Sequence, residues 1–297
     1  MLKSLSDLHK LAKANSKKKL VLAAAHDADA IAAVTNAYQN NIIDVVLVGD
    51  EKKINEIAKE KGFDLSKYEV INEPDVDKAA QISVTMVSEK RADIVMKGNL
   101  GTANLLRAVL NKEWGLRSGE LLSHLALFEV PEYHKIIALT DAAMNISPDI
   151  QGKVSLIKNS VNYLNLLGIK NPKVAVLSAA ETVNFNMKSS TEAAMLAKMN
   201  DRGQIKNCIV DGPLAFDNAV SEKSAKKKGI ASPVAGDADL LLADDIDAAN
   251  AIYKTFIYFA KAKIAAVIVG AKAPIVLTSR ADTDEAKLDS IALAAAV

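Results

Sequence analysis

Apolar residues along the chain alternate between short continuous runs and longer segments with a helical period. The runs KLVLAAA (19–25) and IDVVLV (43–48) have the length and composition of buried strands. The segment after each run, over residues 29–40 and 51–62, places its apolar residues on one face of a helix. Strands that alternate regularly with helices predict right-handed crossovers and a mainly parallel sheet.

The same alternation continues along most of the chain. We expect further strands at residues 68–71, 93–96, 173–177, 207–210, 239–243 and within 265–278. Further helices are expected at residues 75–90, 103–110, 191–200, 245–263 and 283–295. The least periodic region, residues 111–153, is rich in Gly and Pro, so we expect the chain to cross there from one lobe to another.

Composition narrows the class of protein. Half of the residues are hydrophobic but only 4% are aromatic, which suits strands buried between layers of helices. A net charge of +1 without a sustained basic stripe argues against a nucleic-acid binder. The one cysteine, Cys208, excludes a disulfide framework and a cysteine-based zinc site, and it favours a reducing, cytoplasmic setting. We expect neither a signal peptide nor a membrane span.

The first candidate site is MKGNLGT (96–102), where a predicted strand ends and a helix begins. Two glycines permit a tight turn, and Thr102 is the expected N-cap. The free amides of a helix start, next to Lys97, would bind an anion, and Arg107 lies further along the same helix. The alternative is an ordinary strand-to-helix turn with a surface lysine.

The second candidate site is TSRADT (278–283), at the carboxyl end of an apolar strand. That edge of an open α/β sheet is where ligands bind. Arg280 offers a planar fork suited to phosphate, Ser279 a hydroxyl, and Asp282 a carboxylate. The alternative is that Asp282 or Thr283 caps the next helix while Arg280 pairs with the carboxylate.

Weaker candidates follow other strands. Asp211, in the turn sequence Asp-Gly-Pro, is expected just past a strand end, and Asp141 and Asn145 lie in an otherwise apolar run. His124 and Cys208 are interpreted as core residues. The acidic residues 244–247 are expected to complement a helix start rather than to bind a metal. No dinucleotide, Walker, nucleophile-elbow or HExxH motif is present, which argues against an ordinary Rossmann dehydrogenase.

Taken together, these segments resemble the phosphate acetyl/butyryltransferase family, and most of all its butyryl-transferring subgroup. The resemblance rests on MKGNLGTANLLRAVLNKEWGLRSGELLSH, TDAAMNISPDI, DRGQIKNCIVDGPLA, AGDADLLL and VLTSRADT, and it runs from about residue 18 to the C-terminus. It implies two α/β/α lobes of isocitrate/isopropylmalate dehydrogenase-like architecture with the active site between them. We expect residues 1–143 and 268–297 in one lobe and residues 144–267 in the other.

The resemblance also implies the reaction. Members move a short acyl group reversibly between coenzyme A and inorganic phosphate, by direct attack in a ternary complex, without a metal or a tightly bound cofactor. Ser279 and Arg280 match the family's Ser-Arg pair at the phosphate and CoA contacts, and Arg107 matches an arginine at the site. Asp282 is a candidate for the base, although relatives place an aspartate further on, where counting here meets Glu285-Ala286. The substrate-binding set would be Lys97, Thr102, Arg107, Asp141, Asn145 and Asp211.

The expected partners are acyl-CoA, CoA and phosphate, a second copy of the chain in a dimer or larger homo-oligomer, and an acyl (butyrate) kinase in fermentation. No nucleic acid or membrane is expected. The chain departs from the subgroup where Phe185 and Lys188 replace prolines, and Asp244 replaces a third. The departures affect the acyl preference more than the reaction, so phosphate acetyltransferase remains an alternative. A metal- and NAD-dependent dehydrogenase of similar architecture and a non-catalytic CoA or phosphate binder are more distant alternatives.

Overall fold

A computed structural model of the chain describes residues 2–277 and 282–297. The chain divides into two compact units. The central unit comprises Met1–Leu5 and Leu121–Ile264, and the terminal unit comprises Ser6–Glu120 and Ala265–Val297. The chain thus passes between units earlier than the crossing after residue 143 that the sequence suggested.

The terminal unit is a sheet with helices around it. Its elements are α1 (Leu5–Ala14), β1 (Lys18–Ala23), α2 (Ala28–Gln39), β2 (Ile43–Gly49), α3 (Glu51–Lys61), β3 (Glu69–Asn72), α4 (Val76–Ser88), β4 (Ile94–Lys97), α5 (Thr102–Val109), β10 (Lys263–Val269), β11 (Ile275–Val276) and α11 (Asp284–Ala295). The strand order is β3-β2-β1-β4-β11-β10. The first five strands are parallel, and β10 runs antiparallel to β11.

The central unit repeats this construction. Its elements are β5 (Ser123–Glu129), β6 (Ile137–Thr140), α6 (Ile150–Leu166), β7 (Lys173–Leu177), α7 (Lys188–Asp201), β8 (Ile209–Leu214), α8 (Phe216–Val220), α9 (Glu222–Lys227), β9 (Leu240–Leu242) and α10 (Ile246–Tyr258). The strand order is β5-β6-β9-β7-β8. Only β5 is antiparallel to its neighbour.

The core of each unit follows from these patterns. The central strands carry continuous apolar runs because both of their faces are covered by helices, and β1 and β9 are buried over Leu20–Ala23 and Leu240–Leu242. Aspartates fix several helix starts, since the carboxylates of Asp27, Asp50 and Asp245 accept amide hydrogens from the first turns of α2, α3 and α10.

The predicted mainly parallel α/β fold is confirmed. The least periodic region, residues 111–153, where no element was predicted, contains β5, β6 and the start of α6. Apart from Gly152 in α6, its prolines and glycines lie in the connections, and they obscured two strands that are buried except at Glu129. No helix within the described ranges combines the length and apolarity needed to cross a bilayer.

Candidate functional site

Three turns of the terminal unit lie at the same edge of its sheet. Because β1, β2 and β4 are parallel neighbours, the turns that follow them, at residues 24–27, 49–50 and 98–101, lie side by side. The carboxyl edge of such a sheet is its ligand-binding edge. The predicted anion site is therefore in the position that a ligand site requires.

The segment Lys97–Thr102, which we term the Lys97 loop, is fastened to the turn after β1. The amide of Gly98 donates to the Ala23 carbonyl at 2.8 Å, and the amide of Asn99 donates to the Ala24 carbonyl at 2.8 Å. A Cβ on Gly98 would lie 2.4 Å from the Ala24 oxygen, so only glycine fits. The two turns form one packed backbone assembly.

The Lys97 side chain folds over its own loop. Its Nζ donates to the carbonyls of Gly98 and Leu100, at 3.2 and 3.4 Å, and the residue is half-buried. These are long hydrogen bonds to neutral acceptors, which an anionic ligand can replace with stronger charge-assisted ones. Lys97 is therefore placed to contribute a positive charge at this edge.

The prediction that Thr102 is the N-cap of the helix is wrong. Helix α5 begins at Thr102 and its N-cap is Gly101, which has extended φ and ψ and supplies no side-chain acceptor. Asn104 explains why position 101 is a glycine, because a Cβ on Gly101 would lie 2.7 Å from the Asn104 Oδ1. The Asn104 side-chain amide is held in place by donating to Asp77 at 2.7 Å. The first amides of α5 thus lack a side-chain acceptor and face the edge with their partial positive charge.

Arg107 lies in the last turn of α5 and is exposed. No carboxylate of the described residues forms a salt bridge with it. An exposed guanidinium on the helix that follows the Lys97 loop increases the positive potential of this part of the terminal unit.

The second motif adjoins the first through the sheet. β11 pairs with β4, which places Val276 beside Met96, the residue before Lys97. Ser279 and Arg280 lie outside the described residues. Asp282 is half-buried just before α11, and Thr283 is the cap of that helix, accepting the Ala286 amide at 3.1 Å.

Asp141, in the central unit, follows β6 and is 4% exposed. Its Oδ1 accepts the amides of Ala143 and Met144 at 2.9 and 3.0 Å. Its Oδ2 accepts the His124 amide at 3.1 Å and the Asn145 side-chain amide at 2.6 Å. Four donors occupy the carboxylate, so its evident effect is to fix the loop over residues 140–145.

Further hydrogen bonds hold that loop at both ends. The Asn145 amide also donates to the Leu122 carbonyl at 2.9 Å. From α10, the Asn250 amide donates to the Ala142 carbonyl at 3.1 Å, and the Ile246 amide donates to the Ile146 carbonyl at 3.0 Å. The loop is rigid in the sense that most of its polar groups are already paired.

Asp211 was expected just past a strand end, and this placement is wrong. It lies inside β8, opposite Ala175, and its Oδ1 accepts the amide of Gly212 at 2.8 Å. The strand continues through Pro213 because β8 is the outer strand of its sheet, where a missing N–H removes no inner hydrogen bond. The register shift between Ala175 and Leu177 accommodates the change of direction.

A buried cluster at the carboxyl edge of the central unit escaped the sequence analysis. Lys153 of α6 is 2% exposed, and its Nζ donates to Glu192 of α7 at 2.5 Å and to Asp244, which follows β9. No helix was predicted over α6, so no sequence pattern marked Lys153 as a buried residue. Asp244 therefore balances a buried charge, while Asp245 and Asp247 complement the start of α10 as expected.

Of the two residues interpreted as core, His124 is placed as predicted and Cys208 is not. His124 is buried, and its ring lies 5.9 Å from that of Tyr253. Cys208 is half-buried, and burial raises the pKa of its thiol to about 11, which disfavours the reactive thiolate. Among residues 2–277 and 282–297, no three His, Cys, Asp or Glu side chains are grouped as metal ligands.

The sheet edge of the terminal unit suits an anionic ligand. It offers the ammonium of Lys97 and a helix start without a side-chain cap. Such preorganised donors stabilise negative charge that develops during a reaction. In the central unit, the polar groups of the loop over residues 140–145 are paired with one another and with β5.

Known proteins share both sequence and fold with the chain. It is 47% identical over its full 297 residues to a phosphate butyryltransferase of Clostridium acetobutylicum, covering 99% of that protein. It is 45% identical to a phosphate acetyltransferase of Thermotoga maritima, with 94% of each chain covered. A branched-chain phosphotransacylase structure from Enterococcus faecalis superposes with a TM-score of 0.83 at 32% identity, covering 93% of this chain and 97% of that one.

A more distant structure shows the breadth of the fold. The 4-hydroxythreonine-4-phosphate dehydrogenase of Klebsiella pneumoniae has a TM-score of 0.60 at 12% identity, covering 94% of this chain and 98% of that one, which confirms the expected dehydrogenase-like architecture. The family model described as phosphate acetyl/butaryl transferase matches residues 4–82 and 73–295. With nearly every residue inside that model, the chain belongs to the phosphate acetyl/butaryl transferase family.

Proposed function

We propose that the chain transfers a short acyl group, butyryl by preference, between coenzyme A and inorganic phosphate. The observation that carries the proposal is the 47% identity to a phosphate butyryltransferase along the whole chain. The cationic edge around the Lys97 loop supports it, because both phosphate and CoA are anions.

In the direction of acyl phosphate formation, a phosphate oxygen attacks the thioester carbonyl of acyl-CoA within a ternary complex. A C–O bond forms, the carbonyl oxygen becomes an oxyanion, and the C–S bond then breaks to release CoA as a thiolate. The thiolate takes up a proton from phosphate or solvent. The demand on the protein is to hold an anion beside a developing oxyanion, rather than to supply a strong acid.

The described residues supply part of this demand. Lys97, the first amides of α5 at Thr102, and Arg107 would hold the phosphate. In the reverse direction Asp282 is the candidate that accepts the thiol proton, which is a modest task because an ordinary thiol has a pKa near 8.5. Ser279 and Arg280 are assigned to phosphate and CoA by their match to the family motif.

The candidate residues of the central unit have structural surroundings. Asp141 and Asn145 hold the loop over residues 140–145 in shape, and Asp211 lies within the outer strand β8. We propose that these three side chains act mainly by fixing the backbone of the central unit. A resident metal or cofactor has no role in the proposed reaction. We further propose that the protein is cytoplasmic, that it forms homo-oligomers, and that its acyl phosphate product is the substrate of a butyrate kinase.

Phosphate acetyltransferase activity is the second candidate, because the Thermotoga maritima relative is nearly as similar as the clostridial one. The test is thioester formation from CoA and acyl phosphates of increasing chain length, with and without EDTA. We expect the highest kcat/KM with butyryl phosphate and no effect of EDTA.

The outcomes separate the candidates. A maximum at acetyl phosphate would favour the second candidate. Absence of thioester with every chain length, or loss of activity with EDTA that added metal restores, would contradict the proposed reaction.

A further inference from the structure

His26 is a buried histidine in the turn between β1 and α2. It is 9% exposed, and its Nδ1 has no hydrogen-bond partner among the described residues. A Cβ on Gly49 would lie 3.2 Å from this nitrogen, so the ring packs against the backbone where β2 ends. A buried polar atom without a partner is costly, which makes this histidine unusual among the side chains of the sheet edge.

The turn that carries His26 joins β2 to the Lys97 loop. On one side the Ala25 amide donates to the Val48 carbonyl at 2.9 Å. On the other side the carbonyls of Ala23 and Ala24 accept the two amides of the Lys97 loop described above. Ala24 has a φ of 53°, a left-handed conformation that an alanine adopts only when its surroundings impose it.

Burial and the net effect of the neighbouring charges oppose a second proton on the His26 ring. Burial lowers the pKa of His26 below its ordinary value of 6.5, and the neighbouring Lys53 ammonium lowers it further. Asp50 and Asp27 act in the opposite direction with smaller effect, and both carboxylates are engaged as caps of α3 and α2. The neutral ring is thus the form that fits the folded turn.

We propose that His26 is a positioning residue for the Lys97 loop, and that protonation of His26 loosens this loop and weakens the binding of phosphate. The proposal rests on the proposed function, because phosphate is the ligand assigned there to the loop.

The physical sequence has three steps. In the imidazolium, Nδ1–H would face the backbone at Gly49 without an acceptor, and burial and the Lys53 ammonium oppose the charge more strongly than Asp50 and Asp27 favour it. The turn must therefore open to water. Opening displaces the carbonyls of Ala23 and Ala24, which releases the amides of Gly98 and Asn99 and disorders the loop that carries Lys97.

Reciprocal linkage provides the test in the unmodified protein. If protonation weakens phosphate binding, then phosphate must favour the neutral ring and lower the pKa of His26. The histidine ring signals of the full-length protein are titrated by NMR between about pH 5 and 8, with and without saturating inorganic phosphate. A His26→Gln spectrum assigns the signal.

The direction of the change is decisive. A bound anion acting only through space would raise the pKa of a nearby histidine. We expect the opposite, a fall equivalent to about fivefold weaker phosphate binding by the protonated form. A rise, or no change, would overturn the proposal, and the exposed His134 of the central unit serves as an internal control.

Kinetics give an independent readout. Below pH 6.5, where phosphate itself also titrates, the KM for phosphate should rise more steeply in the wild type than in His26→Gln, while His134→Gln follows the wild type. Parallel profiles for the wild type and His26→Gln would overturn the proposal. Failure of every variant and the wild type to bind phosphate or to form thioester would instead contradict the proposed function.

Discussion

At Asp141, three hydrogen bonds from its own loop and one from His124 of β5 converge on a single buried carboxylate. An aspartate at a sheet edge suggests a catalytic group when only the sequence is known. Its environment shows a different use, because both oxygens are occupied by donors of the chain itself. A residue can therefore be essential to a site without touching the substrate.

We expect Asp141→Asn to destabilise the protein by about 2–3 kcal/mol and to lower kcat/KM at least about tenfold, because an amide NH₂ would face N–H donors. Urea unfolding and initial rates measure the two effects. Asp149→Asn is the matched control, since Asp149 caps α6 and asparagine caps a helix equally well. Wild-type stability in Asp141→Asn would contradict the role assigned to the carboxylate.

At the scale of elements, strands with continuous apolar runs were predictable, but the positions of polar side chains relative to strand ends and helix caps were not. β1, β2, β4 and β7 lie within a residue or two of their predicted positions, because burial on both faces leaves a clear pattern. β5 and β6 were missed since their connections carry the strongest turn signals. The glycine cap of α5 goes with the nearby Asn104, whose Oδ1 lies 2.7 Å from the position of a Cβ on Gly101, and the apolar pattern does not record that contact.

Gly98→Ala tests the junction between two elements. The added Cβ would meet the carbonyl oxygens of Ala23 and Ala24, so we expect a loss of about 1–3 kcal/mol in stability together with a higher KM for phosphate. In Gly62→Ala, the control, no atom lies within 4 Å of the new Cβ, and the left-handed φ alone costs about 1 kcal/mol. An unchanged KM for phosphate in Gly98→Ala would contradict the role of this packed junction in phosphate binding.

On the scale of the molecule, exposed apolar residues are distributed unequally. Of eleven large hydrophobic side chains exposed among the described residues, ten lie in the central unit and only Leu110 in the terminal unit. Phe185 and Phe259 are the most exposed, at 92% and 85%. Exposed apolar side chains can contribute to interaction surfaces, so we expect the predicted homo-oligomer to form through the central unit.

Light scattering after size exclusion tests this prediction. We expect a dimer or larger for the wild type and a smaller mass for Phe259→Asp. Leu110→Asp, in the terminal unit, is the control and should retain the wild-type mass. A monomeric wild type at micromolar concentration would contradict the prediction of an oligomer.

The outer strand β8 has a consequence for how the protein behaves when crowded. An outer strand presents unpaired N–H and C=O groups that can recruit a strand of another molecule and start aggregation. Pro213 has no N–H to offer, and the register shift beside it bends the strand away from a flat edge. The residues Gly212 and Pro213, conspicuous in the sequence as a possible part of the site, thus also make β8 a poorer template for a strand of another molecule.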